Sequence, residues 1–134
     1  MAVHDDYPGL TVQVVVNSEP LEEYKHDDEE ELPKTTTCYI ESKPGAEFAI
    51  KTSFTPPFEA CHILIGISLD GIDVTGLGVL ERDIFHKSGH VGNCTIWQKE
   101  DKWSKSGFCF SDLNIGMYFP SIIHQLFGDI QPLY

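Results

Sequence analysis

Apolar and polar residues alternate with a period of two along much of this chain, the spacing that turns one face of a β-strand toward a core and the other toward water. Gly9 to Asn17 is the clearest run: Leu10, Val12, Val14 and Val16 fall on one side, Thr11, Gln13, Val15 and Asn17 on the other. Thr35 to Glu41 sets Cys38 and Ile40 against Thr37 and Tyr39, and Ala46 to Phe54 sets Phe48, Ile50, Thr52 and Phe54 against Glu47, Ala49, Lys51 and Ser53. His62 to Leu69 carries Ile63, Ile65, Ile67 and Leu69 on one face and runs into Asp70-Gly71, a pair that tolerates the positive φ angles of a tight hairpin turn. Ile72 and Val74 begin the return strand, which Gly76 and Gly78 are expected to interrupt. Lys87 to Gly92 reads as a loop, after which Cys94 to Lys99 pairs with Gly107 to Leu113 around the polar stretch Gln98 to Ser106. Short strands at this spacing predict an all-β fold, an antiparallel β-sandwich or jelly-roll-like arrangement. Its expected core is Leu10, Val12, Val14, Val16, Cys38, Ile40, Phe48, Ile50, Phe54, Ile63, Ile65, Ile67, Phe108 and Phe110.

The alternation fades near Ile115. Residues 1–115 read as one β-sandwich domain and 116–134 as an apolar tail, in which Ile122, Ile123, Leu126 and Phe127 stand at helical spacing before Gly128. A C-terminal helix of one or two turns is marginal alone in water. With Met117, Tyr118 and Phe119 beside it, the tail is expected to cover an open sheet edge or to swap onto a neighbouring chain, giving self-association.

Charge changes the picture locally. The 134 residues carry a net charge of −12, but residues 1–31 hold ten acids against Lys25 alone, so nearly all of the imbalance sits at one end. Ser18-Glu19-Pro20 ends the first strand, and the acid-rich run that follows is expected to be a solvated loop, since its charges repel and apolar anchors are few. Glu22, Glu23, Asp27, Asp28, Glu29, Glu30 and Glu31 are therefore candidate binding residues for a basic protein partner. The same sign argues against nucleic acid and against anionic membrane surfaces. No apolar run approaches the roughly 18 to 20 residues that span a bilayer, and Asp5 and Asp6 stand where a secretory signal carries positive charge, so an intracellular home, cytoplasm or nucleus, is expected.

Candidate chemistry is sparse. Cys38, Cys61, Cys94 and Cys109 contain no C-x-x-C pair, which excludes a zinc ribbon; intracellularly they are expected to be buried thiols, and in an oxidising compartment two disulfides. His86-x-x-x-His90-x-x-x-Cys94 is the nearest approach to a metal site, two imidazoles and a thiolate that would suit a transition metal, yet a glycine-rich loop does not set that spacing on one face. His4-Asp5-Asp6 and His26-Asp27-Asp28 are weaker cation ligands of the same kind. No G-x-S-x-G elbow is present, and no glycine pair precedes a helix that would cradle phosphate, so neither catalysis nor a cofactor is expected. Trp97 and Trp103 flank a polar stretch and would serve either as a stacking surface or as core or hairpin-tip packing.

One resemblance joins these segments. Gly9-Leu10-x-Val12-x-Val14-x-Val16, Glu19-Pro20-Leu21-x-Glu23-Tyr24, Cys38-Tyr39-Ile40-Glu41, Gly45-Ala46-Glu47-Phe48-Ala49-Ile50, Leu69-Asp70-Gly71 and Phe108-x-Phe110-x-x-Leu113 follow one another in an order that resembles a fungal family of uncharacterised domains, over about residues 9–115. The resemblance implies a β-sandwich without an assigned activity. After Ile115 the chain departs from the family pattern, as a divergent end or as the product of a retained intron. The function expected is a non-enzymatic protein-interaction module; a nucleoplasmin-like histone chaperone and a small hydrolase or carbohydrate-active domain are the alternatives.

Overall fold

The computed structural model describes residues 2–3, 7–25, 34–111 and 131–132. Its first sheet is built on β2 (Leu10–Val16), which pairs antiparallel with β1 (Ala2–Val3), β3 (Glu19–Pro20) and β6 (Ala49–Phe54); β6 in turn pairs with β9 (His90–Gly92). The register sets Leu10 opposite Phe54 and Val14 opposite Ile50, so the apolar alternations of two strands distant in sequence share one face. A second sheet joins β7 (Ile63–Leu69) to β8 (Ile72–Val79) through the Asp70–Gly71 turn, where φ is 51° and 78°. β12 (Gln131–Pro132) lies on the other side of β7, opposite Leu64 and Ile63, so a short strand from the tail covers part of that edge; the helix expected around residues 120–128 lies outside the described residues. Two further ladders complete the fold, β4 (Glu23–Tyr24) with β5 (Tyr39–Ile40), and β10 (Cys94–Lys99) with β11 (Lys102–Gly107).

The all-β, antiparallel architecture agrees with the sequence pattern. Leu10, Val12 and Phe54 of the first sheet and Ile63, Ile65 and Val79 of the second meet in one buried cluster with Cys38 and Ile84. Val14, Ile40, Phe48, Ile67, Phe108 and Phe110 form another, in which the Phe48 ring stacks on Phe110 at 4.5 Å. Of the predicted core, only Val16 and Ile50 stay half-buried. Val15 is buried although it points to the opposite face, because β3 and β6 flank it with Pro20 and Ala49.

Four expectations are corrected. Gly76 and Gly78 do not interrupt β8: they stand opposite Gly66 and Leu64, and the ladder runs through them. The strand opposite Cys94–Lys99 is Lys102–Gly107, not Gly107 to Leu113, because Glu100 and Asp101 both take positive φ and close a two-residue turn. Phe108 to Phe110 instead bonds to the segment that leads into β6: the Phe48 N–H donates to the Phe108 carbonyl at 3.0 Å, and the Phe110 N–H to the Ala46 carbonyl at 3.0 Å. The loop expected over residues 87–92 ends in β9, where His90 pairs with Thr52. Finally, the acidic run begins as strand rather than loop, since Glu23 and Tyr24 pair with Ile40 and Tyr39 while Leu21 packs on the second cluster.

Candidate functional site

A groove of about 690 Å³ opens where the outer face of the first sheet meets the β10–β11 hairpin. Alternation explains its floor: Phe48, Thr52 and Phe54 go inward, which leaves Glu47, Ala49 and Lys51 on the outside. One rim is the β2–β3 turn, Asn17 and Ser18, both at positive φ; the other is supplied by Cys94, Lys105 and Gly107. Gly89 lets the intervening loop lie close over β6: its φ is +69°, and a β-carbon there would stand 2.7 Å from Ser53 Oγ and 3.1 Å from Lys51 Cε. The hairpin is tied down at its base, where the Thr95 hydroxyl donates to the Val74 carbonyl at 2.6 Å and the Phe108 N–H to the Asn93 carbonyl at 2.8 Å. Two lysines, the Glu47 carboxylate and several neutral polar groups line this groove.

The acidic candidates are only partly within view. Glu22 is exposed and Glu23 half-buried in β4; Asp27, Asp28, Glu29, Glu30 and Glu31 lie outside the described residues, as do His4, Asp5, Asp6 and His26. The electrostatics at the base of the run are nonetheless legible. The Tyr24 hydroxyl donates to Glu22 Oε2 at 3.2 Å, and that bond, then the charges of Glu22 and Glu41, raises the phenol above its ordinary value.

The metal candidates are not assembled. His86 sits in the loop beside Ser88, His90 is on β9 with Nε2 3.3 Å from the Ile84 carbonyl and its ring 6.0 Å from that of Phe54, and Cys94 opens β10. Among the described residues no group of three or more His, Cys, Asp or Glu is placed to hold a metal ion. The Ser88 hydroxyl lies 2.7 Å from His86 Nδ1, the nearest approach to a nucleophile and base, but the two are exposed and two residues apart, the geometry of a local turn contact. No disulfide joins the four cysteines; burial, and after it the Glu23 carboxylate, raise the Cys38 thiol to about 11. Trp103 is 70% exposed opposite Gln98, so it belongs to no core, while Trp97 stands on the next rung opposite Ser104. Among the described residues no helix is long and apolar enough to cross a membrane.

Fold and groove together define an antiparallel all-β domain with a polar groove between sheet and hairpin. The chain belongs to a family described as a domain of unknown function (DUF7918), whose pattern matches residues 9–119. No curated protein and no solved structure matches it.

Proposed function

We propose that this chain is a non-enzymatic, intracellular interaction module of fungal type that docks a basic protein partner through the acidic stretch Glu22 to Glu31. The observation that carries this reading is the confinement of charge, ten acids against one base in residues 1–31 of a protein whose net charge is −12. Seven of those acids crowd into one stretch, raising the local negative potential and speeding encounter with a lysine- or arginine-rich segment.

Titration of histones and of a lysine-rich peptide tests the reading. The wild type binds with a steep salt dependence, because exposed charges are screened beyond roughly 8 Å at physiological ionic strength. A variant with Glu22, Glu23, Asp27, Asp28, Glu29, Glu30 and Glu31 changed to Gln or Asn loses that binding. Equal binding by both proteins, or none by either, overturns the docking role.

A further inference from the structure

The face of the hairpin that continues into the groove is open and oddly furnished. Its rungs pair Ile96 with Lys105 and Gln98 with Trp103, and neither apolar side chain is covered: Ile96 is 61% exposed and Trp103 70%. The next rung, Cys94 with Gly107, borders the groove, into which Lys105 and Lys51 both reach, with Val91 exposed at its side. Lysines on an outer strand guard a sheet against edge-to-edge aggregation. That device gives no reason to leave isoleucine and tryptophan open on the same face. Apolar area set beside cations fits an extended acidic peptide, whose carboxylates meet the lysines while its backbone and apolar side chains lie against the ring.

We propose that this face docks the acidic stretch Glu22 to Glu31 of a second copy of this chain. Charge complementarity selects the occupant. The stretch holds seven acids and is followed by Leu32, whereas Lys105 stands on this face of the hairpin beside Ile96 and Trp103 and Lys51 lines the groove next to it; Lys99 and Lys102 pair on the opposite face near the tip. The inference rests on the reading of the stretch as a docking element and names its basic partner. The contact is heterologous, acidic stretch of one copy on hairpin of the next, so association runs head to tail and grows with concentration.

Sedimentation of the full chain over a range of concentrations, at low and at high salt, tests this. Self-association is expected at low salt and weakens about tenfold or more on screening. Lys51→Glu/Lys105→Glu abolishes it, and so does replacement of Asp27, Asp28, Glu29 and Glu30 by Lys; an equimolar mixture of the two variants, now complementary in the opposite sense, restores it. Trp103→Ser, at an exposed site that leaves folding intact by circular dichroism, weakens association independently of charge. The Lys51→Glu/Lys105→Glu variant keeps its binding to a lysine-rich peptide, so failure here and failure of the acidic stretch as a docking element show up separately. A monomer at every concentration in low salt overturns the proposal, as does association that the hairpin variants leave unchanged.

Discussion

Two hairpins of this molecule are built on the same kind of turn and meet opposite fates. Asp70–Gly71 in β7–β8 and Glu100–Asp101 in β10–β11 all adopt positive φ, the two-residue geometry whose twist matches that of the flanking strands. In β7–β8 the inward residues Ile63, Ile65 and Ile67 are buried, and the opposite face is trimmed to glycine at Gly66, Gly76 and Gly78. In β11 only Ser104 is even half-buried, and Ile96 and Trp103 of the second hairpin stand in water. Turn chemistry therefore makes a hairpin, while apolar alternation decides whether it becomes core. A hairpin without the second property is held at its base, here by the Thr95 hydroxyl on the Val74 carbonyl, and its face is left for contacts with something else.

The most direct way to break this contrast is to truncate one isoleucine in each hairpin. Ile65→Ala should cost about 2 to 5 kcal/mol, since a buried side chain leaves both lost transfer energy and a cavity. Ile96→Ala, at a site 61% exposed, should stay within about 0.5 kcal/mol. Chemical denaturation of the two variants measures both, and comparable losses would show that the second hairpin is core after all.

A smaller effect separates strain from burial. Gly9 precedes β2 with φ at +90°, and a β-carbon there would run into the Thr55 carbonyl oxygen, whose own N–H donates to the Gly9 carbonyl at 2.8 Å. Gly9→Ala should therefore cost about 1 to 3 kcal/mol in thermal unfolding. Gly45→Ala, also at positive φ but with open space around it, should cost less; equal losses would assign the whole effect to φ.

Most of the fold was legible because period-two alternation is a statement about faces, and twelve of the fourteen residues it assigned to the core are buried. What escaped it were elements defined by partners rather than by pattern. β1 is two residues held by β2, β9 sits in a segment whose Gly and Ser suggest a loop, and Phe108 to Phe110 bonds to the residues just before β6 through a bridge between Cys109 and Glu47. The groove escaped for a related reason. Lys51 was recognisable as outward-facing, but only the register of β10 with β11, set by two unfavoured residues at positive φ, brings Lys105 to the same opening. Five of the seven acidic candidates lie outside the described residues, so charge remains a property of sequence there.

The cysteines carry the contrast to pH. Cys38 is buried beneath both sheets with its thiol raised to about 11, whereas Cys109 is exposed. A raised folded-state value means that folding favours the protonated thiol: that stabilisation is complete below the ordinary thiol value and is lost as pH rises through 9 toward 11. The melting temperature should thus fall across this window more steeply for wild type than for Cys38→Ala. A thiol reagent at pH 8 should label Cys109 at once and Cys38 only on unfolding, and prompt labelling of Cys38 would contradict its burial.

The smallest expected effect addresses how the second hairpin is coupled to the rest. Glu100 and Asp101 occupy left-handed positions that Asn and Gly adopt with less strain, so Glu100→Asn/Asp101→Gly should gain about 0.4 to 1 kcal/mol where the hairpin itself opens. Where that gain appears matters more than its size. If the hairpin opens as a local unit about its anchored base, amide exchange slows over residues 94–107 while the global unfolding midpoint stays put. If the Thr95 to Val74 bond couples it to β8, both move together. The same variant removes two negative charges from between Lys99 and Lys102, so low-salt self-association should tighten as well. Slower exchange without tighter association would mean that the tip lies outside the docking face, confining that face to the rungs between Cys94 and Trp103.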